Sequence, residues 1–159
     1  GQYKMSERPT FWYDGRPVRA AGVLLWTRRQ GRVVRLFRKV NGLFEDIGGK
    51  TDSQDKDELD TAIREACEET DGKLFSERHS REDCARCLYH HIIQFTDTQY
   101  NPRSKYVLFR VYVDPTILRL RMKRFGLSEQ TEWGELAHYY QWRHETPRRL
   151  HARLRGLRL

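Results

Sequence analysis

The stretch GGKTDSQDKDELDTAIREACEET, residues 48–70, decides how this chain folds. It opens with a pair of glycines, continues through a polar loop over residues 51–56, and then changes to a helical pattern. Its apolar side chains recur at the i, i+3, i+4, i+7 spacing of a buried stripe: Leu59, Ala62, Ile63 and Ala66. The spacing predicts a helix over residues 57–70, with acidic residues at its start, where the helix dipole is positive.

The opposite side of the predicted helix concentrates carboxylates. Glu65, Glu68 and Glu69 stand at i, i+3 and i+4, so three like charges crowd together without interspersed lysines. A divalent cation would relieve this repulsion, because hard cations such as Mg²⁺ prefer oxygen ligands. The alternative interpretation is an ordinary surface helix with an acidic face.

The glycine pair and the Arg-Glu-rich end together resemble the signature of the Nudix (MutT-like) hydrolases. That signature runs from a glycine through an acid to Arg-Glu-aliphatic-any-Glu-Glu-any-Gly. Residues 64–69 of this chain, Arg-Glu-Ala-Cys-Glu-Glu, fit its core, and Gly48 and Gly49 fit its opening.

Two positions depart from the family pattern. Counted from Gly49, the acid position falls on Asp55 instead of a glutamate, and Arg64 lies one residue further on than the family spacing. Asp71 stands where the closing glycine is usual, and Gly72 follows it. We interpret the first departure as a one-residue insertion in the loop, and the second as a helix that runs one residue longer before its C-terminal glycine.

The resemblance implies a fold and an activity. The fold is of the α/β class, a Nudix-type α/β/α sandwich with a mixed central sheet, expected here as a single domain over residues 1–159. Nudix enzymes hydrolyse a pyrophosphate linkage in a nucleoside diphosphate joined to another group. They use Mg²⁺ or Mn²⁺ to neutralise phosphate oxygens and to activate water.

The resemblance also implies roles for individual residues. Glu68 and Glu69 are the expected principal metal ligands, and Glu65 is expected to act as a ligand or as the base. The backbone carbonyl of Gly48 is a further expected ligand, since glycine permits close approach. Arg64 is expected to orient the carboxylates, because it lies at i, i+4 from Glu68.

A base and substrate contacts are expected outside the helix. In the family, the general base often comes from a distal loop, where this chain has Glu129, Glu132 and Glu135. Glu132 is the favoured candidate, because it directly precedes a predicted strand; surface acids are the alternative. Lys50 and Arg38 are the candidate substrate-binding residues.

Net charge bears on the substrate. The 159-residue chain carries a formal charge of +8, and its pI is about 9.6, which favours an anionic partner. We therefore favour an RNA 5′ end as substrate, since backbone phosphates are usually met by Arg and Lys. Basic residues concentrate at 116–125 and near the C-terminus, the latter as Arg148, Arg149, Arg153 and Arg155. A small-nucleotide pyrophosphatase and a non-catalytic RNA-binding module are the alternatives.

The rest of the pattern predicts the other elements. Strands are expected over residues 19–26, 33–40, 88–95, 105–113 and 133–142. A C-terminal helix is expected to open at Thr146-Pro147, with a buried stripe of Leu150, Leu154 and Leu157. No apolar run approaches the roughly 18 residues of a transmembrane helix, so we expect no contact with a membrane. We expect an intracellular protein, and the sequence does not assign its compartment.

The three cysteines are too few for a disulfide framework, and their odd number leaves one over. Cys67 is expected to be a small core residue. Cys84 and Cys87 have zinc-like spacing, with His90, His91 and the earlier His79 nearby. Against zinc, a strand over residues 88–95 would point the two adjacent histidines to opposite faces, which favours a structural or free-thiol pair.

Overall fold

A computed structural model describes residues 7–73, 75–76, 80–114 and 140–159 of the chain. The strands are β1 (Phe11–Tyr13), β2 (Arg16–Val18), β3 (Ala20–Arg29), β4 (Arg32–Val40), β5 (Leu43–Glu45), β6 (Ile47–Lys50), β7 (Thr96–Asn101), β8 (Tyr106–Tyr112) and β9 (Tyr140–Arg143). The helices are α1 (Glu58–Thr70) and α2 (Arg81–Phe95), followed near the end by a 3₁₀ turn over Ala152–Leu154. Within the described ranges, no helix is long and apolar enough to cross a membrane.

A mixed sheet forms the centre of the molecule. Its main path runs β5-β4-β3-β8-β7, with β6 paired to β3 and β9 paired to β4. The β3–β8 pair is parallel, and the other pairs in this sheet are antiparallel. Along one edge of β3, strand β6 pairs with the first residues of β3 and β4 pairs with its last residues. The predicted α/β class with a mixed central sheet is confirmed.

The two faces of the sheet bury two separate apolar clusters. Strand β3 alternates between them, with Val23 and Leu25 in one cluster and Leu24 in the other. The first cluster also contains the apolar residues of α1 and α2, so both helices cover that face. The second cluster contains Leu154, so the C-terminal segment covers part of the opposite face.

Helix α1 begins and ends as its sequence dictates. Asp57 is its N-cap, and the Asp57 side chain accepts a hydrogen bond from the backbone N–H of Asp60. Asp71 is its C-cap in the left-handed region, with φ of 50°, a conformation that aspartate tolerates better than most side chains. Gly72 follows, also with positive φ, and its N–H bonds the carbonyl of Cys67. The interpretation of a helix that continues one residue before its glycine is consistent with this ending.

The predicted strand over residues 88–95 is wrong, because α2 spans Arg81–Phe95. Ser80 caps the helix by accepting from the N–H of Asp83. Cys84, Leu88 and Ile92 recur every four residues and are all buried, which is a helical stripe. The β-branched pair at 92–93 suggested a strand locally, but packing of the whole stripe against the core overrides that propensity.

The other predicted strands divide into two groups. Strands expected over residues 19–26, 33–40 and 105–113 are confirmed as β3, β4 and β8. Of the strand expected over residues 133–142, only the end is described, as β9. The basic segment 116–125 lies outside the described residues.

The predicted C-terminal helix is also wrong. Leu150 instead forms a parallel bridge with Phe44, and only the short 3₁₀ turn follows. The leucine pattern did identify the buried side of the segment, since Leu154 is fully buried and Leu150 and Leu157 pack against the same cluster. Pairing with the β5 edge and the side-chain contacts of Arg153 hold the chain in this less regular path.

Candidate active site

The glycine pair lets two side chains press against the backbone of β6. Gly48 pairs with Gly22 of β3, and a Cβ atom on Gly48 would lie 2.1 Å from the hydroxyl of Tyr106. A Cβ on Gly49 would lie 2.4 Å from the carboxyl carbon of Glu65. Gly48 therefore requires glycine, because a Cβ there would also lie 2.6 Å from the Cα of Gly22, whereas a side chain at Gly49 would displace the carboxylate of Glu65.

Arg64 links strand β6, the loop over residues 51–56 and helix α1 by its hydrogen bonds. Its Nε and Nη2 donate to the two carboxylate oxygens of Asp55, at 2.8 and 3.0 Å. Its Nη1 donates to Glu65 at 3.1 Å and to Glu68 at 3.2 Å, and Nη2 also donates to the carbonyl of Lys50 at 2.9 Å. The arginine thus orients two of the crowded glutamates and relieves part of their mutual repulsion.

Asp55 is buried beneath this arginine. Burial alone would raise its pKa, but hydrogen bonds from Arg64, Thr61 and the backbone N–H of Asp52 together bring the pKa below its ordinary value. Asp55, the aspartate that departs from the family pattern, therefore pairs with Arg64. It binds Nε and Nη2 of the guanidinium, whereas Glu65 and Glu68 bind Nη1.

Glu69 and Glu65 are more buried than a solvated acidic face would place them. Their side chains are 21% and 17% exposed, whereas Glu68 is 44% exposed. Burial is the main reason that the pKa of Glu69 is raised to about 7, with the carboxylates of Glu65 and Glu45 adding to it and Arg38 opposing it. Burial likewise raises the pKa of Glu65. Buried carboxylates of this kind are typical of functional sites.

The donor set fits a hard divalent cation. The Oε2 atom of Glu69 is buried and has no hydrogen-bond partner among the described residues. Glu65 lies against Gly49 in a cradle that a Cβ would fill. Carboxylate and carbonyl oxygens are the ligands that Mg²⁺ and Mn²⁺ prefer.

The carboxylates do not form a ready-made cage. In the part of the chain that the structure describes, no three His, Cys, Asp or Glu side chains converge as a group that could hold a metal. Arg64 contacts Glu65 and Glu68, while Arg38 contacts Glu69 at 3.4 Å, so the glutamates are held by separate arginines.

The candidate substrate residues lie in different surroundings. Lys50 ends β6 and is exposed, so its ammonium group reaches solvent beside the glycine pair. Arg38 of β4 contacts Glu69 and lies 3.9 Å from Glu45, so it belongs to the carboxylate cluster itself. The favoured base, Glu132, lies outside the described residues, as do Glu129 and Glu135.

The sequence analysis missed a second buried cluster beside the glycine turn. It consists of Asp46, Tyr106 and Arg153, which come from three distant parts of the chain. A charged residue two positions before Gly48 was the one available signal. Nothing in the local pattern of Tyr106 or Arg153 indicates that they meet it.

Cys84 and Cys87 do not form the favoured structural or free-thiol pair, and the disulfide at Cys84 also excludes the zinc alternative. Cys84 forms a disulfide with Cys67, and Cys87 is the free cysteine. His90 is exposed on the helical turn beyond Cys87, and His79 lies outside the described residues. Cys67 is buried as expected, but it also ties α1 to α2 directly beside Glu68.

Comparisons with known proteins gave matches only among solved structures. No family model matched, and no curated protein matched. The chain is similar to an Ap4A hydrolase from C. elegans, at 16% identity over 79% of this chain and 78% of that one, with a TM-score of 0.42. A binary complex of C. elegans Ap4A hydrolase matches at 17% identity over 62% and 68% of the two chains, with a TM-score of 0.37.

A third match is NrtR from Shewanella oneidensis. It has 12% identity over 79% of this chain and 51% of that chain, with a TM-score of 0.41. Because identity and TM-score are low in all three, the proposal that follows rests on the residues of the site.

Proposed function

We propose that this protein is a metal-dependent Nudix-type hydrolase that cleaves a pyrophosphate linkage in a nucleotide substrate. The observation that carries the proposal is a pair of half-buried carboxylates on α1, Glu65 and Glu69. One lies against Gly49, and the other has an oxygen without a partner among the described residues. Such an arrangement is costly in a metal-free fold, and a bound cation would offset the cost.

Glu65, Glu68, Glu69 and the carbonyl of Gly48 would hold the Mg²⁺ or Mn²⁺ ion. When bound, the ion supplies charge neutralisation for the phosphate oxygens and lowers the pKa of water.

The chain's own groups do the remaining work. Arg64 holds Glu65 and Glu68 in place, which leaves Oε2 of Glu65 as the atom to accept a proton. Arg38 and Lys50 offer positive charge to the phosphates from β4 and β6. Glu132 remains the predicted base of the distal loop.

For the substrate, we propose an RNA 5′ end, of the pyrophosphohydrolase or decapping type. The support is the charge of +8 and the exposed Arg148, Arg149 and Arg155. Arg153 no longer contributes to this support, because its guanidinium is bound to Asp46. A small nucleotide, either a nucleoside triphosphate or a nucleoside diphosphate sugar, is the alternative substrate.

The proposal is tested by the double variant Glu68→Gln, Glu69→Gln. We expect loss of most pyrophosphate hydrolysis, by at least about 100-fold, with an unchanged circular dichroism spectrum, because the amide cannot replace a carboxylate ligand. The control is Glu58→Gln at the start of α1, which removes a carboxylate from the same helix away from the turn. The substrates are nucleoside triphosphates, a nucleoside diphosphate sugar, Ap4A, and 5′-triphosphorylated or capped RNA, each with Mg²⁺ or Mn²⁺.

Unchanged turnover in the double variant, or full activity in excess chelator, would exclude the metal site. If wild type binds RNA yet hydrolyses none of these substrates, the non-catalytic RNA-binding module is supported.

A further inference from the structure

Asp46 is a fully buried carboxylate immediately before strand β6, which carries the glycine pair. The hydroxyl of Tyr106 donates to its Oδ2, and Nε of Arg153 donates to its Oδ1 at 2.8 Å. Nη2 of Arg153 also donates to the Asp46 backbone carbonyl at 3.2 Å. Asp46 is therefore paired at both carboxylate oxygens and at its backbone, as a buried charge requires.

The Tyr106 hydroxyl of this cluster lies against Gly48 of β6 and Gly22 of β3. A Cβ on Gly48 would lie 2.1 Å from the Tyr106 hydroxyl, and one on Gly22 would lie 1.9 Å from it. The hydroxyl is therefore in direct contact with the backbone at Gly48. Burial raises the pKa of Tyr106 well above its ordinary value, so the hydroxyl keeps the proton that it donates to Asp46.

Arg153 reaches this position because the C-terminal segment is fastened on both sides of it. Before it, the backbone N–H of Phe44 donates to the carbonyl of Arg149 at 2.7 Å, and the N–H of His151 donates to the carbonyl of Phe44 at 2.8 Å. After it, Nδ2 of Asn101 donates to the carbonyls of Arg153 and Arg155, at 2.9 and 3.1 Å.

The guanidinium of Arg153 lies among Asp46, Glu45 and the ring of Tyr106. Its side chain is 14% exposed, it lies 5.2 Å over the ring of Tyr106, and its Nη2 is 3.9 Å from Glu45.

We infer that Asp46, Tyr106 and Arg153 form a positioning network for the metal site, and that the C-terminal segment completes the site by delivering Arg153. Tyr106 sets the position of the Gly48 backbone, and Arg153 holds the Asp46 carboxylate to which the Tyr106 hydroxyl donates. None of the three touches the substrate. The inference rests on the proposed function, since it concerns the same metal ligands.

The test measures Mn²⁺ binding without substrate, by the electron paramagnetic resonance signal of free Mn²⁺. Tyr106→Phe removes the hydroxyl, Arg153→Lys keeps the charge without the planar fork, and Arg153→Gln removes the charge. We expect the Mn²⁺ dissociation constant to rise about 10- to 100-fold, most for Arg153→Gln and least for Arg153→Lys, because groups that orient metal ligands have effects of this size. The control, Arg148→Lys, changes an exposed arginine nearby and should match wild type.

Thermal unfolding in chelator separates positioning from stability. If the variants unfold at lower temperature but bind Mn²⁺ as wild type does when folded, the network is structural only and the inference is wrong. If Arg153→Gln does not fold, Tyr106→Phe and Arg153→Lys decide by the same criterion. If wild type itself binds no Mn²⁺ and hydrolyses nothing, the proposed function fails first, and that result is distinct from wild-type binding with unaffected variants.

Discussion

Arg64 organises the site at the scale of one residue. A single guanidinium makes five hydrogen bonds, to both oxygens of Asp55, to Glu65, to Glu68 and to the carbonyl of Lys50. Because the planar fork of an arginine matches a carboxylate in two places, a lysine at this position cannot reproduce the contacts. Asp55 is the fixed end of this arrangement, since its side chain is only 2% exposed.

Replacing Asp55 by Asn is expected to destabilise the metal-free protein by about 2–4 kcal/mol at neutral pH, because the half-buried Arg64 loses the buried carboxylate that pairs with it at two atoms. The folded-state pKa of Asp55 is lowered, so its contribution to stability is complete above the unfolded pKa of about 3.9 and is lost as pH falls through the folded pKa. Urea unfolding in chelator from pH 3 to pH 8 should show a constant gap between wild type and variant above about pH 5, closing below about pH 4. A gap that stays constant down to pH 3 would contradict the assigned partner.

At the scale of elements, α1 is held by its packing and by a covalent link to α2. Its buried stripe packs on β3 and β6, which places Glu65 against Gly49. The disulfide between Cys67 and Cys84 joins the two helices on the same face of the sheet. The disulfide contributes to stability mainly by restraining the unfolded chain. The hydrogen bonds of Arg64, in contrast, position the carboxylates of Glu65 and Glu68.

The variant Cys84→Ala tests this division. We expect a loss of about 3 kcal/mol of unfolding free energy, the value for a closed loop near the 17-residue separation of the two cysteines. Most activity should remain, because α1 keeps its apolar contacts and its arginine. Urea unfolding with and without a dithiol reductant is the measurement, and wild type in reductant should approach the variant. Cys87→Ser, at the free cysteine, is the control; equal loss there would show that the effect is not due to the disulfide.

At the scale of the whole molecule, charge is distributed unevenly. The chain has a net charge of +8, yet it gathers several carboxylates on one side of α1. The C-terminal arginines do not share one role. Arg153 is turned inward onto Asp46, whereas Arg148 and Arg149 are exposed just before Leu150.

Exchanging Arg148 and Arg149 for Gln is therefore expected to weaken binding of a short 5′-triphosphorylated RNA. The logarithmic dependence of affinity on salt should become shallower by about 1.4, since each single-strand phosphate contact contributes about 0.7. Binding is measured at several salt concentrations, together with turnover of a free nucleotide, which should not change.

The control for this exchange is Arg86→Gln, which removes a charge already paired with Asp83 at 2.6 Å. If wild type shows no salt-dependent RNA affinity but hydrolyses a free nucleotide well, the small-nucleotide alternative is correct.

The sequence by itself determined α1 and its caps, and it determined strands β3, β4 and β8, whose residues are either alternately or continuously apolar. It also determined that glycines precede a carboxylate-rich helix face. These features depend on neighbours within a few residues, where periodicity and capping chemistry act directly.

Only the tertiary structure decided the rest. It made residues 81–95 a helix, because a buried stripe of Cys84, Leu88 and Ile92 outweighs the strand propensity of a few β-branched residues. It kept the C-terminal segment from becoming a helix, and it brought Arg153 to Asp46 across 107 positions of sequence. Contacts of that separation leave no local pattern, because the two residues become neighbours only through the packing of the whole fold.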